Sequence, residues 1–379
     1  MAAYDVAIVG AGPAGSTAAY RLATAGASVL LLDKATFPRD KPCGGGVTGR
    51  AARLLPFSIE PVVEDVVDRM DCGLCYRHRF SRRARGPLAY MTQRLRLDHF
   101  LLQKAAEAGA DVREGETADA RELDAWVVIG ADGCNGASAK QLDLADRIVH
   151  GVALEANYPH EARFAGAMLL EIAVIRGGYG WIFPKGDHVN VGVGGNEEEG
   201  PRLRTELRRM CEEYEIDPDA ATGLRGYRLP LRLPGTRLAR GRTAVIGDAA
   251  GLVDPFSGDG MYEAFLSARL VADATLEVLA GRAETLDAYQ GAVERRIAPL
   301  TRAGWGAKHA FERFPRTTYA LARLPVTFRA LEKLLRGDLA EPAAARGIEL
   351  AAMRAIYALS RAGNRGGVRA TGSRSAASS

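Results

Sequence analysis

The stretch Tyr4-Asp5-Val6-Ala7-Ile8-Val9-Gly10-Ala11-Gly12-Pro13-Ala14-Gly15 decides the fold, together with the residues that follow it to Lys34. A short apolar strand runs into a glycine turn. An Ala-rich amphipathic segment then reaches Gly26, and Ser28-Val29-Leu30-Leu31-Leu32-Asp33 reads as a second buried strand closed by an acid. In such a unit Gly10 makes the tight turn, Gly12 lets backbone N–H groups approach a pyrophosphate, and Gly15 lets the helix pack close to the strand. The helix N-terminus turns its partial positive charge toward the phosphates. Asp33 stands about 20 residues beyond the glycines, where a carboxylate accepts hydrogen bonds from an adenosine ribose. Strand, turn, helix, strand and acid in this order predict a dinucleotide-binding unit.

The chain has 379 residues, too many for one small core, so two or three joined domains are expected. Apolar residues make up 47% and charged residues 25%, the balance of a globular protein with no nucleic-acid partner. The net charge of +4 is uneven: residues 300–379 hold 14 Lys/Arg against 5 Asp/Glu. Five scattered cysteines suit reduced thiols in a cytoplasmic setting. Cys72-x-x-Cys75 has no second pair at zinc spacing, which favours packing over a metal or redox role. No signal segment precedes the first strand, and no apolar run reaches about 18 residues.

Further along, Lys41-Pro42-Cys43-Gly44-Gly45-Gly46 excludes a helix or strand interior. It is either a flexible surface loop or backbone that comes close to a flat ligand. A helix is expected from Thr48 to Leu55, short strands from 59 to 92, and a helix opening at Arg94-x-x-x-Asp98. Tyr179-Gly180-Trp181-Ile182-Phe183-Pro184 and Val189-Asn190-Val191-Gly192-Val193-Gly194 predict a hairpin, with the three aromatic rings on one strand face. That row is either a sandwich core or a cavity wall. Thr243-Ala244-Val245-Ile246-Gly247-Asp248 reads as strand and tight turn, in which Asp248 is a cap or an acceptor for ligand hydroxyls.

Taken together, Gly10–Gly15, Arg94/Asp98, Gly130-Ala131-Asp132-Gly133 and Gly247-Asp248 resemble the flavoprotein fold of p-hydroxybenzoate hydroxylase. Within that superfamily, the Lys41–Gly46 stretch and Tyr179-x-Trp181-x-Phe183-Pro184 resemble the geranylgeranyl reductases, which saturate double bonds of isoprenoid chains. The resemblance covers roughly residues 4–270. It implies an α/β architecture: a Rossmann-type FAD-binding domain (1–58, 93–148, 240–285) with an inserted antiparallel β-sheet substrate domain (59–92, 149–239). A helical C-terminal region (286–360) and a disordered basic tail (361–379) would follow.

The resemblance further implies FAD contacts from Gly10, Gly12, Pro13, Ala14 and Gly15, from Asp33 and Lys34, and from the loop Cys43, Gly44, Gly45 and Gly46. Others would come from Arg94, Asp132, Gly247, Asp248, Pro255, Gly258, Asp259, Gly260 and Met261. Tyr179, Trp181 and Phe183 would line the substrate cavity, with Cys43, Tyr179 and Trp181 at the chemistry. Two departures stand out. Asp132-Gly133 is followed by Cys134-Asn135-Gly136-Ala137-Ser138 without the usual arginine, and the segment before Trp126 is too short for the usual β-meander.

The implied activity is hydride delivery from reduced flavin to a prenyl lipid or prenyl diphosphate. The electron donor would be NADPH or a reduced ferredoxin-type protein. An FAD-dependent monooxygenase or halogenase of the same fold is the alternative; halogenases use a lysine in the substrate domain, and residues 51–93 contain none. A non-catalytic isoprenoid or flavin carrier is a third class. Finally, Leu324, Phe328, Leu331 and Leu335 share one helical face opposite Arg329, Lys333 and Arg336. This pattern, with the basic tail, raises the expectation of peripheral membrane attachment.

Overall fold

A computed structural model describes residues 2–340 and 344–362. The strand Tyr4–Val9 lies near the middle of a six-stranded sheet. From edge to edge the order is Ala239–Arg240, Thr243–Val245, Ala125–Gly130, Tyr4–Val9, Val29–Asp33 and Asp111–Glu114. All pairings are parallel except the first. Val6, Ile8 and Leu31 are fully buried on the face that helices cover, and Ala7 on the other face under Ala118 and Leu123, which is why these strands read as unbroken apolar runs. No β-meander stands between Glu114 and Ala125.

A seven-stranded sheet forms the second layer system, in the order Thr222–Arg232, Ile148–Pro159, His188–Asn196, Tyr179–Pro184, Ala167–Ile172, Arg69–Leu74 and Arg77–Arg83. The predicted hairpin pairs Trp181 with Gly192 and Phe183 with Asn190. Its second strand splits by period two. Val189, Val191 and Val193 are fully buried in the apolar cluster that also holds Leu203, Leu207 and Met210 of the helix Leu203–Glu213. Asn190, Gly192 and Gly194 take the other face.

Gly46–Thr48, Ala89–Thr92 and Val63–Val67 make a three-stranded sheet between the two. Residues 46 and 47 are thus strand where a loop was expected, and Thr48 is strand where the helix was to begin, since Gly46 and Thr48 pair with Met91 and Ala89. The helix expected from Thr48 to Leu55 shortens to Gly49–Ala52.

The C-terminal region is helical: Asp287–Arg296, Ala298–Arg313, Pro315–Ala322, Pro325–Arg336 and Gly347–Ala362. Prolines open three of these, where the missing N–H costs nothing. Gly337, at φ 81°, ends the fourth. The expected disordered tail lies outside the described residues, apart from Arg361 and Ala362, which end the last helix. Among the described residues, no helix is long and apolar enough to cross a membrane.

Candidate active site

One cavity of about 1170 Å³ runs from the glycine turn, along the inserted sheet, to the C-terminal helices. At its first end Gly10 adopts φ 105°, and a Cβ there would strike the Ala131 backbone at 2.5 Å. A Cβ on Gly15 would stand 1.8 Å from the Gly10 carbonyl oxygen, so the helix Pro13–Thr24 needs a glycine at its crossing. Gly10, Gly15 and Gly247 shape the turns without lining the cavity; Gly12, Pro13 and Ala14 line it. A Cβ on Gly12 would meet nothing nearer than Arg39 Nη2, at 3.8 Å, so the space above it is open. Asp33 braces the turn by accepting from the Ala11 and Ala35 N–H groups, at 2.8 and 2.9 Å, and with Lys34 reaches the cavity.

Arg94 donates two hydrogen bonds to the Asp98 carboxylate, 2.6 Å at each nitrogen, in a site closed to solvent. Asp98 also stands 2.9 Å from Arg39 Nη1, which makes no aligned hydrogen bond. Two guanidinium groups thus share one carboxylate, which leaves one positive charge beside the open space over Gly12. Burial alone would lower the Arg94 pKa, but Asp98 outweighs it and holds the group charged. The excess positive charge of the two guanidinium groups, an uncovered glycine and a helix N-terminus fit a pyrophosphate.

The Gly247-Asp248 turn adjoins this region: a Cβ on Gly247 would stand 2.9 Å from the Ala14 Cβ. The Asp248 carboxylate accepts from the Tyr227 hydroxyl at 2.9 Å and lies 3.4 Å from Lys41 Nζ. Pro255, Gly258, Asp259, Gly260 and Met261 continue the wall, and Met261 begins a 19-residue helix whose N-terminus points at it. Asp132 reaches the cavity as well, but its carboxylate is taken by Ala137 N–H, Ser138 N–H and the Ser138 hydroxyl. It therefore caps its own turn.

Cys43, Gly44, Gly45 and Gly46 line the middle of the cavity, opposite the aromatic row. A Cβ on Gly44 would come to 3.0 Å from the Phe183 ring. The ring centroids of Tyr179 and Trp181 are 6.0 Å apart, and those of Trp181 and Phe183 6.3 Å. Trp181 fits because its strand partner is Gly192, where a Cβ would stand 2.1 Å from the indole. The Tyr179 hydroxyl donates to the Ser257 carbonyl, which ties the row to the Pro255–Gly260 turn. Burial pushes its pKa up, so it stays protonated.

Beyond the rings, Phe311, Phe328, Leu331, Leu335 and Met353 close the cavity from the C-terminal helices. The apolar face of Pro325–Arg336 is thus a cavity wall. Leu324, the first residue of the expected apolar face, is exposed, and part of the basic stripe is paired, Lys333 with Glu349 and Arg336 with Glu332. Cys72 is buried within its strand, while Cys75 is exposed.

Sequence reasoning missed Arg39, Tyr227, Glu155 and Lys185. For Glu155 a signal existed: Gly151, Ala153 and Glu155 alternate along a strand and all line the cavity. Lys185 lies in the turn between the two hairpin strands, where a lysine carries no such signal.

Comparisons with known proteins agree with this geometry. Residues 5–85 match the FAD dependent oxidoreductase family model and residues 85–303 the FAD binding domain model. The chain is 31% identical over 317 residues to a menaquinone reductase of Mycobacterium tuberculosis, covering 71% of this chain and 76% of that one. It is 27% identical over 317 residues to digeranylgeranylglycerophospholipid reductase 2 of Methanopyrus kandleri, covering 73% and 78%. Its fold is similar to the crystal structure of a geranylgeranyl bacteriochlorophyll reductase-like protein from Thermoplasma acidophilum, with TM-score 0.73, 21% identity, and 94% and 96% of the two chains covered. The chain is an FAD-dependent oxidoreductase and belongs to the geranylgeranyl reductase family.

Proposed function

We propose that the protein saturates carbon–carbon double bonds of a prenyl chain, carried by a lipid or a diphosphate. The supporting observation is the continuity of the cavity from the Cys43–Gly46 loop, past the aromatic row, into a compartment walled by Phe311, Phe328, Leu331 and Leu335. A long apolar chain gains about 25 cal/mol for each Å² of surface it buries there.

Bound FAD, when reduced, supplies the hydride. Arg39, Arg94 and the backbone at Gly12 hold its pyrophosphate, and Asp33 and Asp248 accept from its hydroxyls. An isolated alkene needs a proton on one carbon as hydride arrives on the other, or an unstabilised carbanion forms. The rings of Tyr179, Trp181 and Phe183 exclude water, orient the chain and stabilise developing positive charge by about 0.5–2 kcal/mol. The Cys43 thiol, on the cavity wall, is the candidate proton donor; the Tyr179 proton is already engaged by Ser257. Lys185 does not serve as a halogenase-type lysine, since its ammonium is taken up by two backbone carbonyls.

The test is anaerobic. Photoreduced enzyme mixed with a geranylgeranyl lipid should regain its yellow colour without oxygen, and the lipid should gain two mass units per bond. Reoxidation that requires oxygen would transfer the assignment to an oxygenase or halogenase. NADPH and a reduced ferredoxin, tried separately as reductants of the bound flavin, identify the electron donor.

A further inference from the structure

Two charged groups beside the cavity, one half-buried and one buried, have no part in the function proposed above. Glu155 comes from the strand Ile148–Pro159, and Lys185 from the turn that follows Tyr179–Pro184. Both reach the same residue. Glu155 Oε1 accepts from the Cys43 N–H at 2.7 Å, and Lys185 Nζ donates to the Cys43 carbonyl at 3.1 Å. Lys185, only 3% exposed, donates as well to the Thr92 carbonyl at 2.8 Å. Thr92 in turn gives its N–H and its hydroxyl to the Gly45 carbonyl, at 2.8 and 2.9 Å. The Gly45 N–H lies 3.3 Å from Cys43 Sγ. A Cβ on Gly45 would stand 2.0 Å from Lys185 Nζ and 2.1 Å from the Thr92 carbonyl oxygen, so the loop is seated directly on the lysine.

Burying an ammonium and a carboxylate costs several kcal/mol per ion before their partners repay it. Apolar side chains of the same volume would anchor a loop with no such cost. What the two polar groups add is direction: each hydrogen bond fixes the plane of one peptide. Here the two peptides flank a single residue that stands opposite the aromatic row.

We propose that Glu155 and Lys185 are positioning residues for the Cys43–Gly46 loop. By fixing both peptide planes of Cys43, they set where its thiol and the glycines stand against the flavin ring and the prenyl chain. This rests on the site being a flavin-dependent prenyl reductase. Neither residue transfers a proton or an electron in this role.

The test compares Glu155→Gln, Glu155→Leu and Lys185→Met with the parent holoenzyme. Four quantities are read: FAD stoichiometry, the visible absorption of the bound flavin, kcat and KM for the prenyl substrate. Glu155→Gln keeps an oxygen in place to accept from Cys43, so its spectrum and kcat should match the parent. Glu155→Leu and Lys185→Met should keep FAD at one per chain and a KM near the parent value. Their flavin bands should shift, and kcat should fall about ten- to a hundredfold, the scale expected for misplacement by about 1 Å. Glu155→Gln as inactive as Glu155→Leu would overturn the proposal, because the carboxylate would then act as a charge or proton carrier. A lowered Tm with spectrum and kcat unchanged would also overturn it. Should Lys185→Met not fold, the two Glu155 variants decide by the same measurements. If the parent fails to turn over prenyl substrate, the assigned reaction is wrong, and the flavin bands of the variants still test the positioning.

Discussion

The indole N–H of Trp181 donates to Asn190 Oδ1 at 2.8 Å, and Asn190 Nδ2 passes the contact on to Asn157 Oδ1 at 3.0 Å. The ring is therefore fixed at its polar edge, while its face meets the cavity over Gly192. Trp181 is 8% exposed, so it is a packed residue as well as a wall.

Trp181→Phe should keep one FAD per chain and raise KM for the prenyl substrate several-fold. Trp181→Ala should also lower stability by about 3–5 kcal/mol, as emptied aromatic sites do. Urea titration and flavin stoichiometry check both, and loss of flavin from Trp181→Phe would mark the ring as core alone.

Gly12→Val and Gly15→Val should fail in different ways. At Gly12 the space is open in the protein, so the variant should fold, remain colourless and refuse added FAD. At Gly15 the new side chain collides with the Gly10 carbonyl at 1.8 Å, so the variant should not accumulate as folded protein. Circular dichroism together with FAD titration separates the two outcomes.

Asp98→Ala leaves Arg94 and Arg39 facing each other without their shared carboxylate. Breaking a fully buried pair by removing one partner costs about 3–5 kcal/mol. Denaturant unfolding of the apoprotein measures this without contribution from bound flavin.

Glu263 is 2% exposed, and burial, with Asp259 nearby, holds its carboxyl well above the ordinary value of 4.5 against the pull of Arg50. The folded state keeps a proton that the unfolded chain releases at that ordinary value. Native protein therefore binds more protons across the window above 4.5, and stability falls as pH rises through it. Glu263→Gln should flatten this slope. Its Tm relative to the parent should be more favourable at about pH 8 than at about pH 5; an unchanged difference would show that Glu263 is ionised in the fold.

What the sequence by itself determined is what consecutive residues do with their own backbone. The Gly10–Gly15 turn could be read because the phosphate site consists of neighbouring N–H groups and one helix start. The aromatic row could be read because period two puts Tyr179, Trp181 and Phe183 on one face of any strand. Whether those rings meet a core or a cavity was left to Gly192 on the partner strand and to the helices beyond. The apolar face of Pro325–Arg336 shows the same limit: burial has no direction, so the pattern fits a bilayer, a core or a cavity equally. The grip on Cys43 was the least legible part, since Glu155 and Lys185 lie 112 and 142 residues away along the chain. Only the folding of the inserted sheet against the flavin domain brings their charges to that one residue, and a lone Glu in a strand or a Lys in a turn carries no mark of it.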